Sequence, residues 1–162
     1  FEHPECAHLT MESSGEAGYG VDDMVDMLAP FFEKPKAVLL PGRWQPLHVG
    51  HEWLIQRELD QGKKVVVGIR DTPVSDSDPF STDVRKRMIE HRYADEDVEA
   101  WVMPDIEAIS YGRKVGYEVR EADDIPPEIF AVSATGVRGG NKANVSERVM
   151  EFMIEEGIWD GE

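Results

Sequence analysis

The sequence contains a single cysteine, Cys6, among its 162 residues, so no disulfide can form within the chain. A reducing compartment is therefore expected. The sequence also lacks an apolar run near the roughly 20 residues needed to cross a bilayer. Its N-terminus has no basic segment followed by an apolar one, which is the pattern of a secretory signal. These absences together predict a cytoplasmic protein that does not enter a membrane.

Positive charge is also scarce. The chain has 17 Lys and Arg against 33 Asp and Glu, which gives a formal net charge of -16 at pH 7. Such a surface repels phosphate backbones and acidic lipids, so neither nucleic acid nor a membrane is expected as a partner. Any phosphate site must then be a local cluster of basic side chains. The length and the 41% share of hydrophobic residues suffice for one main domain with a core.

The most informative stretch is the loop at residues 41–51. The apolar run at 37–40 before it predicts a strand buried on both faces, and apolar residues at helical spacing after it predict a helix. In an open parallel sheet, ligands bind at this edge. The start of the helix offers free N–H groups and the positive end of its dipole to an anion. The loop is therefore a candidate phosphate site.

Two histidines in this loop, His48 and His51, are three residues apart, so both rings should point to one side of the first helical turn. Gly50 between them has no side chain that would keep a phosphate from the backbone. Beside phosphates, a protonated histidine gains charge-assisted hydrogen bonds, and its pKa should rise toward or above neutrality. With Arg43, the two rings could hold a triphosphate. The alternatives are an ordinary polar pair at a helix start and half of a metal site.

Residues 42–51, Gly-Arg-Trp-Gln-Pro-Leu-His-Val-Gly-His, resemble the signature loop of the HxGH nucleotidyltransferases, the cytidylyltransferase-like superfamily. Their form is most similar to that of archaeal-type nicotinamide-mononucleotide adenylyltransferases. The resemblance implies an α/β fold with a Rossmann-like open parallel sheet of the nucleotidyltransferase type. It also implies catalytic roles for His48 and His51, and nucleotide-binding roles for Gly42, Arg43, Trp44, Gln45 and Gly50.

A second segment, residues 78–85, reads Asp-Pro-Phe-Ser-Thr-Asp-Val-Arg and is similar to the Asn-Pro-Phe-Thr segment of the same adenylyltransferases. In that family an arginine one turn into the following helix reaches the nucleotide. That position is Arg85 here, with Arg87 as a weaker candidate. The alternative is a solvated basic face on the helix predicted at 81–93.

A third segment, residues 132–138, reads Val-Ser-Ala-Thr-Gly-Val-Arg and resembles the family's Ile-Ser-x-Thr-x-x-Arg element. Hydroxyl side chains at a helix start present donors to an anion, although by itself the pattern is most often only a helix cap. The resemblance implies nucleotide-binding roles for Ser133 and Thr135 and a catalytic role for Arg138. The Gly-Gly pair that follows Arg138 predicts an early end to this helix.

The remaining pattern predicts strands at 63–69, 98–103, 115–119 and 129–132 and a closing helix at 145–154. Only about ten residues separate the second and third of these strands, fewer than the dozen or more of a helical crossover. We therefore expect a sheet that is trimmed by one βα unit relative to the family. The part affected is where the family binds its acceptor.

Residues 1–36 differ from the rest and are interpreted as an N-terminal extension that precedes a nucleotidyltransferase domain at 37–162. Residues 1–33 resemble the tail of an adenylylsulfate kinase domain, and a chain that starts at Phe1 favours a fragment of a kinase fusion or a processed product. No Gly-x-x-x-x-Gly-Lys-Ser/Thr loop is present, so no kinase chemistry is assigned. A zinc site here would lack an evident fourth ligand, its three candidate ligands being His3, Cys6 and His8.

The reaction that the resemblance implies is in-line attack of an acceptor phosphate on the α-phosphorus of a nucleoside triphosphate, with release of pyrophosphate. Mg2+ would bridge the phosphates, mostly through water, without a dedicated protein metal site. The leading hypothesis is transfer of AMP from ATP to a phosphorylated acceptor. The candidate acceptor is nicotinamide mononucleotide, which would give the protein a role in NAD biosynthesis. The alternatives are a cytidylyltransferase that uses CTP and a phosphorylated alcohol, and a non-catalytic nucleotide-binding module.

Overall fold

A computed structural model of the chain describes residues 36–113 and 116–159. The predicted N-terminal extension and its candidate zinc ligands lie outside the described residues, so the division into two parts stays a prediction. No helix within the described ranges combines the length and the apolar character needed to cross a bilayer.

A parallel sheet forms the centre of the fold. Its strands, in spatial order, are β1 (Ala37–Gly42), β2 (Lys64–Arg70) and β3 (Val98–Met103). The middle strand, β2, has residues 65–69 all buried, which fits its continuous apolar run. The sheet is in register from Val38 opposite Val65 and from Val65 opposite Val98. The carboxyl ends of all three strands therefore meet at one edge.

Helices alternate with these strands along the chain. They are α1 (Val49–Leu59), α2 (Thr82–Arg92), α3 (Pro127–Phe130), α4 (Ala134–Arg138) and α5 (Glu147–Glu155), with a 3-10 turn at Lys142–Asn144. Helix α1 packs on β2, and α2 packs on β2, β3 and α5. The core between them includes Ile55, Met88, Ile89, Val149 and Phe152. This alternation confirms the predicted Rossmann-like α/β class.

A half-buried carboxylate, that of Glu52, joins three of the helices. Arg92 Nε donates to Glu52 at 2.7 Å, and Ser146 Oγ donates to the other oxygen of Glu52 at 2.5 Å. The three residues belong to α2, to α1 and to the cap of α5. The network fixes the start of α1, and with it the histidine loop that precedes α1.

The sheet is shorter than predicted. Strand β1 is exposed on alternate residues, with Leu39 48% exposed, so one of its two faces is left uncovered. The prediction that β1 is buried on both faces is therefore wrong. No strand forms in the described part of 115–119, where Tyr117 and Val119 are exposed. Helix α3 replaces the strand predicted at 129–132, since a proline in the first helical turn has a suitable φ and needs no N–H partner.

Candidate functional site

The two histidines of the loop between β1 and α1 lie face to face. Their ring centroids are 3.7 Å apart and the rings are 17° from parallel. His48 caps α1, because its Nδ1 accepts a long hydrogen bond of 3.4 Å from the backbone N–H of His51. The prediction that the two rings share one side of the first helical turn is confirmed.

Both histidines have lowered pKa values. Burial lowers the pKa of His48 to about 4. Burial, with the neighbouring His48, lowers the pKa of His51 to about 3. The free protein therefore holds both rings neutral at pH 7, opposite to the direction expected beside phosphates. Desolvation disfavours the charged ring until an anion supplies a compensating interaction. The prediction from sequence considered the anion but not the desolvation.

We expect the free protein to lose stability as the pH falls from about 6.5 toward 4. A histidine in the unfolded chain takes up a proton near pH 6.5, whereas the folded protein protonates these two only near 4 and 3. Between those values the unfolded state binds more protons than the folded state. The free energy of unfolding therefore decreases as the pH decreases. Denaturant unfolding at about pH 7 and about pH 5 measures the effect. A His48→Asn/His51→Asn double variant should depend less on pH, and an unchanged dependence would contradict the assignment.

Gly50 leaves room for the ring of His48. A Cβ at this position would lie 3.1 Å from both Cε1 and Nδ1 of that ring. The same ring also stacks on that of His51. The absence of a side chain at Gly50 therefore allows the ring of His48 to approach the backbone. It would also allow a phosphate to do so.

Trp44 anchors the loop to the sheet. Its backbone has φ 57°, a left-handed conformation that is unusual for a bulky residue. The indole is 3% exposed, and its Nε1 donates to the carbonyl of Gly68 at 3.1 Å. The centroid of the ring also lies 4.6 Å from that of His51, with the two planes tilted by 55°. Gly42 suits this packing, because a Cβ there would lie 3.0 Å from the indole, which is tighter than an ordinary contact.

Gln45 clamps the loop to the second predicted segment. Its side-chain Nε2 donates to the carbonyl of Phe80, and its Oε1 accepts from the N–H of Phe80, both at 2.9 Å. The side chain of Gln45 is buried. The structure therefore brings residues 42–51 and 78–85 together through this amide. Its buried position gives Gln45 a supporting role, and contact with a nucleotide stays a prediction.

Replacing Gln45 with leucine should lower the free energy of unfolding by about 2 kcal/mol, since two hydrogen bonds are lost and the two part-buried backbone groups of Phe80 lose their partner. Chemical denaturation monitored by tryptophan fluorescence would measure the change. Gln56→Leu is the matched control, because its amide makes one exposed bond to Asp60. That control should change stability by less than about 0.5 kcal/mol. Equal effects of the two substitutions would show that the clamp contributes nothing.

Arg85 is fully buried and holds the ends of two strands. Its Nη1 donates to the carbonyls of Arg43 at 2.8 Å and Arg70 at 2.9 Å, and its Nη2 donates to Thr82 Oγ1 at 2.9 Å. Burial lowers its pKa, against the opposing charges of two nearby aspartates. In the free protein Arg85 therefore positions the loop. Its predicted contact with a nucleotide stays a prediction, and Arg87 is instead ion-paired with acidic side chains.

The third predicted segment also reaches the loop. Ser133 caps α4 by accepting from the N–H of Gly136 at 3.1 Å, and α4 ends at Arg138 as its Gly-Gly pair predicts. The guanidinium of Arg138 donates to the carbonyl of Gln45 and, at 3.4 Å, to Thr135 Oγ1. The side chains selected from the three segments therefore meet at the carboxyl end of β1.

Residues 39–149 match the family model described as Cytidylyltransferase-like. The matched range contains all three segments. The chain belongs to the cytidylyltransferase-like family. No curated protein matches it at a significant level. Membership makes the chain a nucleotidyltransferase whose substrate is a nucleoside triphosphate.

Beside the histidine loop, this cytidylyltransferase-like domain has a polar cavity that the sequence analysis missed. Its volume is about 410 Å³, and we call it the β2 cavity because it lies at the carboxyl end of β2. Its walls consist of Arg43, Arg70, Thr72, Pro73, Ser75, Asp78 and Asp105. Polar residues directly after two predicted strands were the signal that could have indicated it.

Proposed function

We propose that the domain transfers AMP from ATP to the phosphate of a small acceptor and releases pyrophosphate, with nicotinamide mononucleotide as the first acceptor to test. The observation that supports it best is the meeting of the histidine pair and Arg138 at the carboxyl end of β1. Family membership supports nucleotidyl transfer. The choice of ATP rests on the resemblance of residues 42–51 and 78–85 to adenylyltransferases.

The reaction is a direct displacement. An oxygen of the acceptor phosphate forms a bond to the α-phosphorus while the bond from that phosphorus to the bridging oxygen of pyrophosphate breaks. The attacking phosphate oxygen carries no proton that a base must remove. The domain therefore contributes positioning and neutralisation of charge.

His48 and His51 would donate to the oxygens on which charge develops. Because His48 Nδ1 accepts from a backbone N–H, the neutral ring carries its proton on Nε2 and can donate it without being protonated further. Among the described residues His51 Nδ1 is buried without a hydrogen-bond partner. A bound triphosphate would also raise both pKa values by favouring the charged rings.

Arg138, Ser133 and Thr135 would hold the pyrophosphate portion. The hydroxyls of Ser133 and Thr135 lie in exposed residues at the start of α4. Arg138 already bridges Thr135 and the loop, so the guanidinium is fixed before a nucleotide binds. Such prior fixing lowers the reorganisation needed during the reaction.

Mg2+ is the proposed cofactor, and it would neutralise charge on the triphosphate. Within residues 36–113 and 116–159, no group of three or more His, Cys, Asp or Glu side chains converges on a metal position. A magnesium ion that keeps several waters and takes most other ligands from phosphates fits this arrangement.

Pyrophosphate release from purified protein, with ATP or CTP, Mg2+ and a panel of acceptors, tests the proposal. The panel contains nicotinamide mononucleotide, glycerol 3-phosphate and phosphocholine. Release with ATP and nicotinamide mononucleotide is the expected result. Release only with CTP and a phosphorylated alcohol would favour the cytidylyltransferase alternative. Nucleotide binding in calorimetry without turnover of any acceptor would favour a binding module.

A further inference from the structure

The indole of Trp44 is enclosed in the core, although the residue belongs to the histidine loop. Only 3% of Trp44 is exposed, and it is a member of the hydrophobic cluster that includes Ile55, Val67 and Ile69. A side chain with so little free surface offers almost no area to a ligand. Direct contact between this side chain and a nucleotide is therefore a poor explanation for a tryptophan at this place.

One end of the indole is fixed to the middle strand of the sheet. Its Nε1 donates to the carbonyl of Gly68 at 3.1 Å, in a part of β2 where residues 65–69 are all buried. The backbone of Trp44 has φ 57°, a conformation that is costly for a bulky residue and persists only where the surroundings hold it. Both features indicate a side chain that is held in one orientation.

The same indole contacts the ring of His51. The two centroids are 4.6 Å apart and the planes are tilted by 55°, while the ring of His48 stacks on His51 at 3.7 Å. Of these two aromatic neighbours, Trp44 is the one whose side chain is bonded to the sheet. An imidazole turns about two side-chain bonds unless its neighbours prevent it. The fixed indole therefore restricts the orientation of His51.

We propose that Trp44 is a positioning residue for nucleotidyl transfer, whose indole, held by Gly68, keeps the ring of His51 in the orientation that reaches the phosphates. This inference rests on the proposed function. Trp44 acts through His51 and does not itself touch the substrate. Such an effect is large because a displacement of about 1 Å at a reaction centre can cost on the order of a hundredfold in rate.

Two substitutions separate the two ends of the indole. Trp44→Leu removes the ring that contacts His51 and should lower kcat for pyrophosphate release about a hundredfold. Trp44→Phe keeps an aromatic ring but loses the bond to Gly68, and it should lower kcat about tenfold. The KM for ATP should change by less than about threefold in either variant, since binding of the substrate itself does not depend on the orientation of His51.

Trp101→Phe is the matched control. It also removes an indole hydrogen bond, from Nε1 to Glu99 at 2.9 Å, but Trp101 lies on β3 and is 56% exposed. Its kcat should be unchanged. Equal losses of kcat in Trp44→Phe and Trp101→Phe would overturn the inference.

A double variant separates action through His51 from an independent role. If Trp44 acts only through His51, Trp44→Leu/His51→Ala should be no slower than His51→Ala alone. An independent contribution, either direct contact with the nucleotide or general support of the fold, would multiply the two losses. Losses that multiply would therefore refute a positioning role.

The titration of His51 tests the contact without any turnover. Burial, with the neighbouring His48, lowers the pKa of His51 to about 3, against an opposing effect of the Pro46 carbonyl. In NMR spectra of the full chain, the ring signals of His51 should stay constant from about pH 8 to about pH 5, in Trp101→Phe as well. In Trp44→Leu water reaches the ring, so its pKa should rise and its signals should shift over that range. Constant signals in Trp44→Leu would show that the indole does not enclose the ring.

Turnover and titration can fail separately. A shifted titration in Trp44→Leu, without pyrophosphate release by the unmodified protein, would contradict the transferase function and support the contact that orients His51. Pyrophosphate release that neither Trp44 variant slows would support the transferase function and refute Trp44 as its positioning residue.

Discussion

Replacing His51 with alanine should lower kcat/KM for nucleotidyl transfer by at least about a hundredfold, the usual cost of removing one electrostatic donor from a reaction centre. The ring contacts both the indole of Trp44 and the ring of His48. Its removal therefore also takes away the ring that stacks on His48. Pyrophosphate release with saturating Mg2+ and varied ATP measures the loss.

Two further variants make this result specific. His91→Ala removes an exposed histidine from α2 and should leave turnover unchanged. His51→Asn keeps a donor of similar reach and should recover part of the activity that alanine loses. Near-normal kcat/KM in a folded His51→Ala protein would refute a catalytic role for the residue.

Local signals in the sequence were sufficient for most of the helices and strands. The helix predicted at 81–93 is observed at Thr82–Arg92, because Ser81 accepts from the N–H of Val84 and defines its start. Strand β3 has the predicted limits, and β2 differs by one residue at each end. These features depend on neighbours within a few residues, which a single sequence displays.

The strands that failed to form depend on partners instead. Tyr117 and Val119 alternate as in a strand, yet residues 116–119 are exposed and join no sheet in the described part of the chain. Among the described residues, no strand pairs with the outer edge of β1 either. Strand pairing is decided by segments far apart in sequence, and local pattern does not contain that information.

The roles of polar side chains needed the structure as well. Arginine suits a carbonyl as well as a phosphate, so residue type could not show that Arg85 is buried among the carbonyls of Arg43 and Arg70. Gln45 similarly engages a backbone, that of Phe80. The sequence correctly predicted that both residues lie near the histidine loop. Only their burial in the structure shows that they support the loop.

Replacing Arg138 with alanine is expected to cost at least about a hundredfold in kcat/KM. The guanidinium is the link between α4 and the histidine loop, through the Gln45 carbonyl, and it is the cation nearest to Ser133 and Thr135 in chain position. Its loss removes both the charge that would face pyrophosphate and the contact that keeps α4 in place. Arg148→Ala, which removes an exposed arginine paired with Asp95, should leave kinetics unchanged.

Arg138→Lys distinguishes charge from positioning. Lysine keeps the positive charge but lacks the planar guanidinium that reaches two acceptors. Compared with Arg138→Ala, we therefore expect Arg138→Lys to recover much of kcat, while its KM for ATP stays raised. If Arg138 served only to hold α4, the alanine variant would unfold more easily and bind ATP more weakly, with kcat unchanged at saturating ATP. A kcat that stays normal in Arg138→Ala would therefore remove Arg138 from the reaction itself and leave it as a structural link between α4 and the loop.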